Sequence, residues 1–244
     1  KSCIVMLGFM LYAIFSSAQF EMISQEMNIY VKHENTEWGN GASFYDFNRD
    51  GWDDLTTANG DSAIQFFVNN GEGILEEIEI DLLITLTHHV MAIIWVDYDN
   101  DGDSDLFITQ YGGRIFLLQN DGNQNFSDIT ENVGLPISDY NYYGSSFADV
   151  NKDGYLDFYL CKYYNPNVNP QSEFSSQFFL GNQNGTFTNA TITSGLLQPP
   201  SPAYQSVFFD YDQDGFQDLF VIVDRSFWPN ELFRNNGDGT FTEV

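Results

Sequence analysis

Basic residues are scarce in this chain of 244: four Lys and four Arg stand against 35 acidic residues, for a formal charge of −27. A surface with that balance repels phosphate backbones and anionic lipid headgroups, which argues against nucleic acid or a charged membrane surface as a partner. Cysteine is nearly absent, with only Cys3 and Cys161. If Cys3 leaves with a leader segment, no internal disulfide can form, and the core and any bound metal must hold the fold. Cys161 ends the apolar run Asp157-Phe-Tyr-Leu-Cys161, where a thiol reads as a packing residue rather than a nucleophile. His88 and His89 form the one histidine pair. They precede a strand-like run, in which neighbours point to opposite faces and do not easily share one metal. No segment keeps a 3.6-residue apolar period, which argues against a helical architecture. A Gly-rich phosphate loop, zinc-type spacing and G-x-S-x-G are missing too.

The amino terminus has the pattern of an export signal. Lys1 precedes a thirteen-residue apolar run from Cys3 to Phe15, followed by Ser16-Ser17-Ala18 with small residues where cleavage needs them. Such a run is short of the roughly 20 residues a membrane span requires. The expected layout is therefore a signal peptide at 1–18, cleaved after Ala18, a leader at 19–40, and a protein exported to the cell surface or beyond, with no direct membrane insertion.

What the chain has in abundance is Asp, and much of it is periodic. A nine-residue loop, D-x-[DN]-x-D-G-x-x-D, occurs four times, from Asp46 to Asp54, Asp97 to Asp105, Asp149 to Asp157 and Asp210 to Asp218. The loop starts are 51, 52 and 61 residues apart. Alternating carboxylates or amides followed by Gly give a hard cation several oxygens at about 2.4 Å and the sharp turn that gathers them, the requirements of Ca²⁺. Recurrence at a near-constant period marks a repeat architecture.

Short aromatic and β-branched runs flank every loop. Ala42–Tyr45, Ala92–Val96, Ser145–Ala148 and Ser206–Phe209 precede the loops; Leu55–Ala58, Leu106–Thr109, Phe158–Cys161 and Leu219–Ile222 follow them. These runs read as strands, so the acidic loop closes a hairpin. A second hairpin follows each time, centred on Asn-Gly or Asp-Gly, as in Leu232-Phe-Arg-Asn-Asn-Gly-Asp-Gly-Thr-Phe241. Those dipeptides supply the positive φ of tight turns. Four strands in about 50 residues, apolar on both faces, are the blade of a β-propeller. The expected fold is all-β, with four-stranded antiparallel blades at about 41–80, 90–135, 143–197 and 204–244. The third repeat carries a surplus Pro/Asn loop, Tyr164–Gln171, which reads as a surface insertion or, functionally, as a recognition loop.

An EF-hand would need a bidentate Glu at position 12 and flanking helices, yet Thr57, Ile108, Leu160 and Val221 stand there and the flanks are strands. The ninth position must close the site instead. The expected ligands are side chains at positions 1 (Asp46, Asp97, Asp149, Asp210), 3 (Asn48, Asp99, Asn151, Asp212), 5 (Asp50, Asp101, Asp153, Asp214) and 9 (Asp54, Asp105, Asp157, Asp218). At position 7, the backbone carbonyls of Trp52, Asp103, Tyr155 and Phe216 would join them. The second and fourth loops offer four ligand carboxylates each; with Asn48 and Asn151, the first and third should bind more weakly. About four Ca²⁺ would bring the net charge to about −19.

Together, the loop and the Leu-Phe-x-Asn-x-Gly-x-Gly-x-Phe hairpin resemble the FG-GAP/VCBS repeat proteins, which are related to the integrin α-subunit propeller and similar to the cartilage acidic protein group. The resemblance spans about residues 40–244. It implies a calcium-bound β-propeller with the ion in the hairpin joining the first two strands of each blade. Such propellers usually close with about seven blades, so four repeats imply a fragment, an open arc. Two hairpins depart from the pattern: Ile74 replaces the final Phe of the first, and the second loosens to Gly122-Asn-Gln-Asn-Phe126.

No catalytic constellation is visible, and most clustered carboxylates are assigned to calcium. Three sequons, at Asn125, Asn184 and Asn189, sit at turns and read as turn residues. The expected role is a secreted or surface-attached module for adhesion, binding a protein or glycan, with calcium structural. The alternatives are part of an extracellular polysaccharide lyase or hydrolase, or a structural repeat in an adhesin. An enzyme would place a His, Tyr, Arg or Lys cluster at one end of the propeller axis.

Overall fold

The computed structural model describes residue 29 and residues 40–59, 63–164, 175–224 and 228–244. The signal segment, most of the leader, and the third-repeat loop beyond Tyr164 lie outside these residues. The described chain is all β. The first blade comprises β1 (Ala42–Tyr45), β2 (Asp54–Ala58), β3 (Ile64–Asn69) and β4 (Leu75–Ile78). The second has β5 (His89–Val96), β6 (Asp105–Gly113), β7 (Phe116–Asn120) and β8 (Phe126–Asp128). The third has β9 (Tyr140–Ala148), β10 (Asp157–Lys162), β11 (Gln177–Gly181) and β12 (Phe187–Asn189). The fourth has β13 (Ala203–Phe209), β14 (Asp218–Val223), β15 (Glu231–Asn235) and β16 (Phe241–Glu243).

Every pairing between successive strands of a blade is antiparallel, and each second strand starts at the ninth-position Asp of its loop. The first strands β1, β5, β9 and β13 pack side by side and so line the axis. All four acidic loops consequently lie at one end of the blades. The opposite end collects the starts of the first strands and the ends of the second.

Adjacent blades bury their apolar faces against each other. Phe66 and Ala58 of the first blade pack with Trp95 and Ile108 of the second. Tyr159, Cys161 and Phe178 of the third pack with Leu219, Val221 and Phe233 of the fourth. Each large side chain so buried contributes about 1.5–3 kcal/mol. Trp95 stacks on Phe47 at 5.1 Å, and its indole N–H donates to Thr56 Oγ1 at 2.9 Å, which satisfies the one polar atom the ring carries inside. Cys161 is fully buried, as its apolar run implies.

One feature departs from four separate sheets. β6 and β9 run beyond their blades and pair with each other, Tyr111 with Asn141 and Gly113 with Tyr140, across an irregular step. The second and third blades thus form one eight-stranded sheet. Gly112, at φ +81°, supplies a backbone conformation that L side chains rarely adopt, and it sits in that step.

Candidate metal centre

The acidic loops share one internal geometry. Position 6 is Gly with φ between 89° and 94°, and its N–H donates to the position-1 carboxylate in all four: Gly51 to Asp46, Gly102 to Asp97, Gly154 to Asp149 and Gly215 to Asp210. The position-3 oxygen accepts the N–H of position 5, and the position-5 carboxylate accepts the N–H of position 7. Trp52, Asp103, Tyr155 and Phe216 therefore enter the loop through their backbone N–H groups. The Trp52 and Phe216 side chains turn outward and lie over Gly71 and Gly237 of the second hairpins, where any Cβ would strike the ring.

At position 9 the structure adds something sequence reasoning missed. Asp54, Asp105, Asp157 and Asp218 are completely buried. One oxygen of each accepts the N–H of loop position 2, from Phe47, Tyr98, Val150 and Tyr211. The other accepts an N–H from the end of the third strand, from Asn69, Asn120, Gly181 and Asn235. The same carboxylate that would close the ion site thus bolts the loop to the next hairpin. Burial pushes the Asp105 and Asp157 carboxyls up to about 7, against the opposing pull of these N–H donors.

Position 4 was also missed. Arg49, Asn100, Lys152 and Gln213 all have φ near +60°, and the first three reach towards the next blade's loop. Arg49 is an electrostatic neighbour of Asp103, Asn100 Nδ2 donates to the Gly154 carbonyl at 2.7 Å, and Lys152 Nζ lies 3.8 Å from the centre of the Phe216 ring. The visible signal was the recurrence of long or amide side chains directly before Asp-Gly.

The donor set fits a hard, oxygen-coordinated cation. In the second loop Asp97, Asp99 and Asp105 each bring an oxygen within 4.8 Å of the others, and in the fourth Asp210, Asp212 and Asp214 do the same. Asp97 Oδ1 and Asp103 Oδ1 are buried and accept no hydrogen bond. Burial raises the Asp97 and Asp103 carboxyls, with repulsion from Asp101 and Asp99 adding to it. In the first and third loops an amide relieves part of that repulsion: Asn48 Nδ2 donates to Asp50 and Asn151 Nδ2 to Asp153, both at 3.0 Å.

The far end of the strands holds a second cluster, one that composition announced through its aromatics but spacing did not locate. Tyr143 on β9 stacks with Tyr163 at 4.7 Å and contacts Tyr204 at 5.0 Å and Tyr111 at 5.9 Å. Tyr163 donates its hydroxyl to Asp224 at 2.6 Å. Lys162 is buried on the opposite face of the same blade, over the Tyr140 ring at 4.8 Å from its centre. The His pair does not form a centre: His88 bonds Thr87 through Nδ1, and His89 opens β5.

Fold and loops together define a propeller built of acidic hairpin repeats. Residues 46–108, 97–160 and 210–244 match the model of the FG-GAP-like repeat, and the chain belongs to that family. It is 28% identical over 137 residues to cartilage acidic protein 1 of Xenopus tropicalis, covering 55% of this chain and 20% of that protein. Over 147 residues it is 28% identical to the Mus musculus protein and 27% to the Homo sapiens one, covering 58% of this chain and 22% and 21% of theirs. The chain spans about a fifth of the length of these curated relatives. Among solved structures, a lectin of Agrocybe aegerita, described for specific recognition of non-reducing terminal N-acetylglucosamine, aligns at a TM-score of 0.49 and 17% identity. That alignment covers 83% of this chain and 50% of the lectin chain. The Photorhabdus luminescens Tc holotoxin pore aligns at 0.41 and 16%, over 85% of this chain and 9% of its own.

Proposed function

We propose that this chain is an exported, calcium-stabilised propeller module that binds a protein or glycan at a surface, with calcium structural rather than catalytic. One observation carries the calcium reading. In all four blades the ninth-position carboxylate is fully buried, and among the described residues no Lys or Arg forms an ion pair with it. A divalent cation held by positions 1, 3, 5 and 9, with the position-7 carbonyl, would neutralise that buried charge. It would also clamp the two hairpins that the ninth Asp already joins.

The test is thermal unfolding with calcium and with chelator. Saturation at a hundredfold excess over Kd stabilises by about 2.7 kcal/mol per site that binds only the folded state, so the melting temperature should fall markedly in chelator. Limited proteolysis should then cut between strands that calcium protects. An unchanged melting curve overturns the structural role.

The tyrosine cluster at the end away from the loops favours one second reading, a polysaccharide-active enzyme. It gathers the aromatic groups such an enzyme would place at one end of the axis. Against it, burial and the neighbouring tyrosines hold the Tyr143 hydroxyl well above its ordinary range, so it keeps its proton and serves poorly as a base. An assay for new reducing ends or unsaturated sugar products separates the two readings.

A further inference from the structure

We propose that the tyrosine cluster is the ligand surface of this module and that its ligand is the sugar ring of a neutral glycan. This rests on reading the chain as a binding module and names the site and ligand class for it.

Three successive blades build the cluster. Tyr111 lies near the end of β6, Tyr143 lies on β9, Tyr163 follows β10, and Tyr204 is on β13. Tyr143 is buried at the hub and fixes the others by ring contacts, so the outer rings are held in place before any ligand arrives. Tyr204 is 41% exposed, presenting part of its ring to solvent. Gln205 is seated against Gly144, where a Cβ would collide with the Gln205 amide. The Tyr204 backbone thereby lies close against β9. Asp224, fixed by the Tyr163 hydroxyl, adds a planar acceptor beside the rings.

A pyranose is apolar on its C–H face and polar around its edge. It therefore matches a tyrosine face bordered by a fixed carboxylate and hydroxyls. Charge decides between glycan classes. With 35 acidic residues against 8 basic ones, a sulfated or uronate-rich chain is repelled and a neutral one is not. The site is also remote from the acidic loops, because the strand registers place Tyr111 and Tyr163 at the opposite ends of β6 and β10 from Asp105 and Asp157. Calcium need not touch the ligand.

The experiment applies the calcium-loaded full chain to an array of neutral and sulfated oligosaccharides, followed by calorimetry with the best neutral tetrasaccharide. Tyr204→Ala should weaken binding by about tenfold or more, as loss of a central aromatic anchor does, while Tyr204→Trp retains it. Phe44→Ala, an exposed aromatic on β1 of the first blade, should leave affinity unchanged. The proposal falls if no neutral glycan binds, if sulfated chains bind better, if Tyr204→Ala binds as wild type, or if only a protein is retained. Calcium-dependent melting is measured on the same samples, so the structural-calcium reading stands or falls separately.

Discussion

Asn100 of the second acidic loop donates its amide N–H to the backbone carbonyl of Gly154 in the third, at 2.7 Å. Asn100 is held at φ +59°, a conformation Asn tolerates better than most residues, and that conformation accompanies a side chain reaching across the blade boundary. The carbonyl it grips is one residue before the expected position-7 ligand. Asn100→Gly keeps the backbone conformation and deletes the bond. It should cost about 1 kcal/mol more than Gln213→Gly, the same change in the fourth loop, whose side chain has no such bond among the described residues. Urea unfolding in calcium measures the difference, and equal costs would remove Asn100 as a link between loops.

The ninth-position carboxylates have a role that does not need the ion. In Asp157→Asn one of the two buried N–H donors, Val150 or Gly181, would face an amide instead of an acceptor, costing about 1–3 kcal/mol. Stability should fall with calcium and in chelator alike. Asp153→Asn, exposed at position 5 where water can replace a lost bond, should lower the melting temperature much more in calcium than in chelator. If Asp157→Asn melts like wild type in chelator, its hydrogen bonds contribute nothing to the metal-free fold.

Gly237 and Gly239 occupy the same turn with nearly equal φ, 77° and 82°. An Ala at either pays a left-handed strain of about 1–2 kcal/mol. Only at 237 would the new methyl lie 2.9 Å from the Phe216 ring; at 239 nothing is within 4 Å. Gly237→Ala should therefore be the more destabilising, and the extra loss should vanish in a Phe216→Ala background. Equal effects in wild type would show that the ring yields freely.

Glu231 on β15 sits where burial, reinforced by Glu243 and opposed by a Ser201 hydrogen bond, pushes its carboxyl up to about 7. A raised folded-state value means stability fully present below the ordinary value near 4.5 and lost as pH climbs through 7. Glu231→Gln should match wild type at pH 4 and melt higher at pH 8, both in calcium. A variant less stable at pH 8 would contradict the sign.

The Cys161 thiol is pushed up to about 12 by burial. In native protein it should resist alkylation at pH 8 and react on unfolding, with the label mapped to its own peptide by mass spectrometry. Labelling under native conditions would show a blade interface that opens.

Much of the fold was legible because its signals are local. The Asp-Gly and Asn-Gly turns fix hairpins, and short aromatic runs such as Leu219–Ile222 become the middle of β14 with one residue added at each end. The β6–β9 pairing was not legible. It depends on Gly112 and on an irregular register between residues 30 apart, which no turn motif announces. At the loops, residue types named the candidate ligands, but the double hydrogen bonding of Asp54 and its equivalents joins segments 15 to 24 residues apart. The tyrosine cluster was hidden for the same reason. Tyr111, Tyr143, Tyr163 and Tyr204 share no motif and meet only because strand ends from three blades converge.

The continuous sheet through the second and third blades separates two units that repeat sequences usually equate. The unit of duplication is one loop and four strands, yet β6 and β9 exchange backbone bonds across its border. A cut at that border would split paired strands, whereas cuts on either side of the pair would break only isolated backbone bonds, Gly41 N–H to Val90 on one side and Tyr164 N–H to Ser201 and Phe241 N–H to Ser194 on the other. The cooperative unit in this part of the chain is the pair of blades, and hydrogen exchange should see strands β5 to β12 open together.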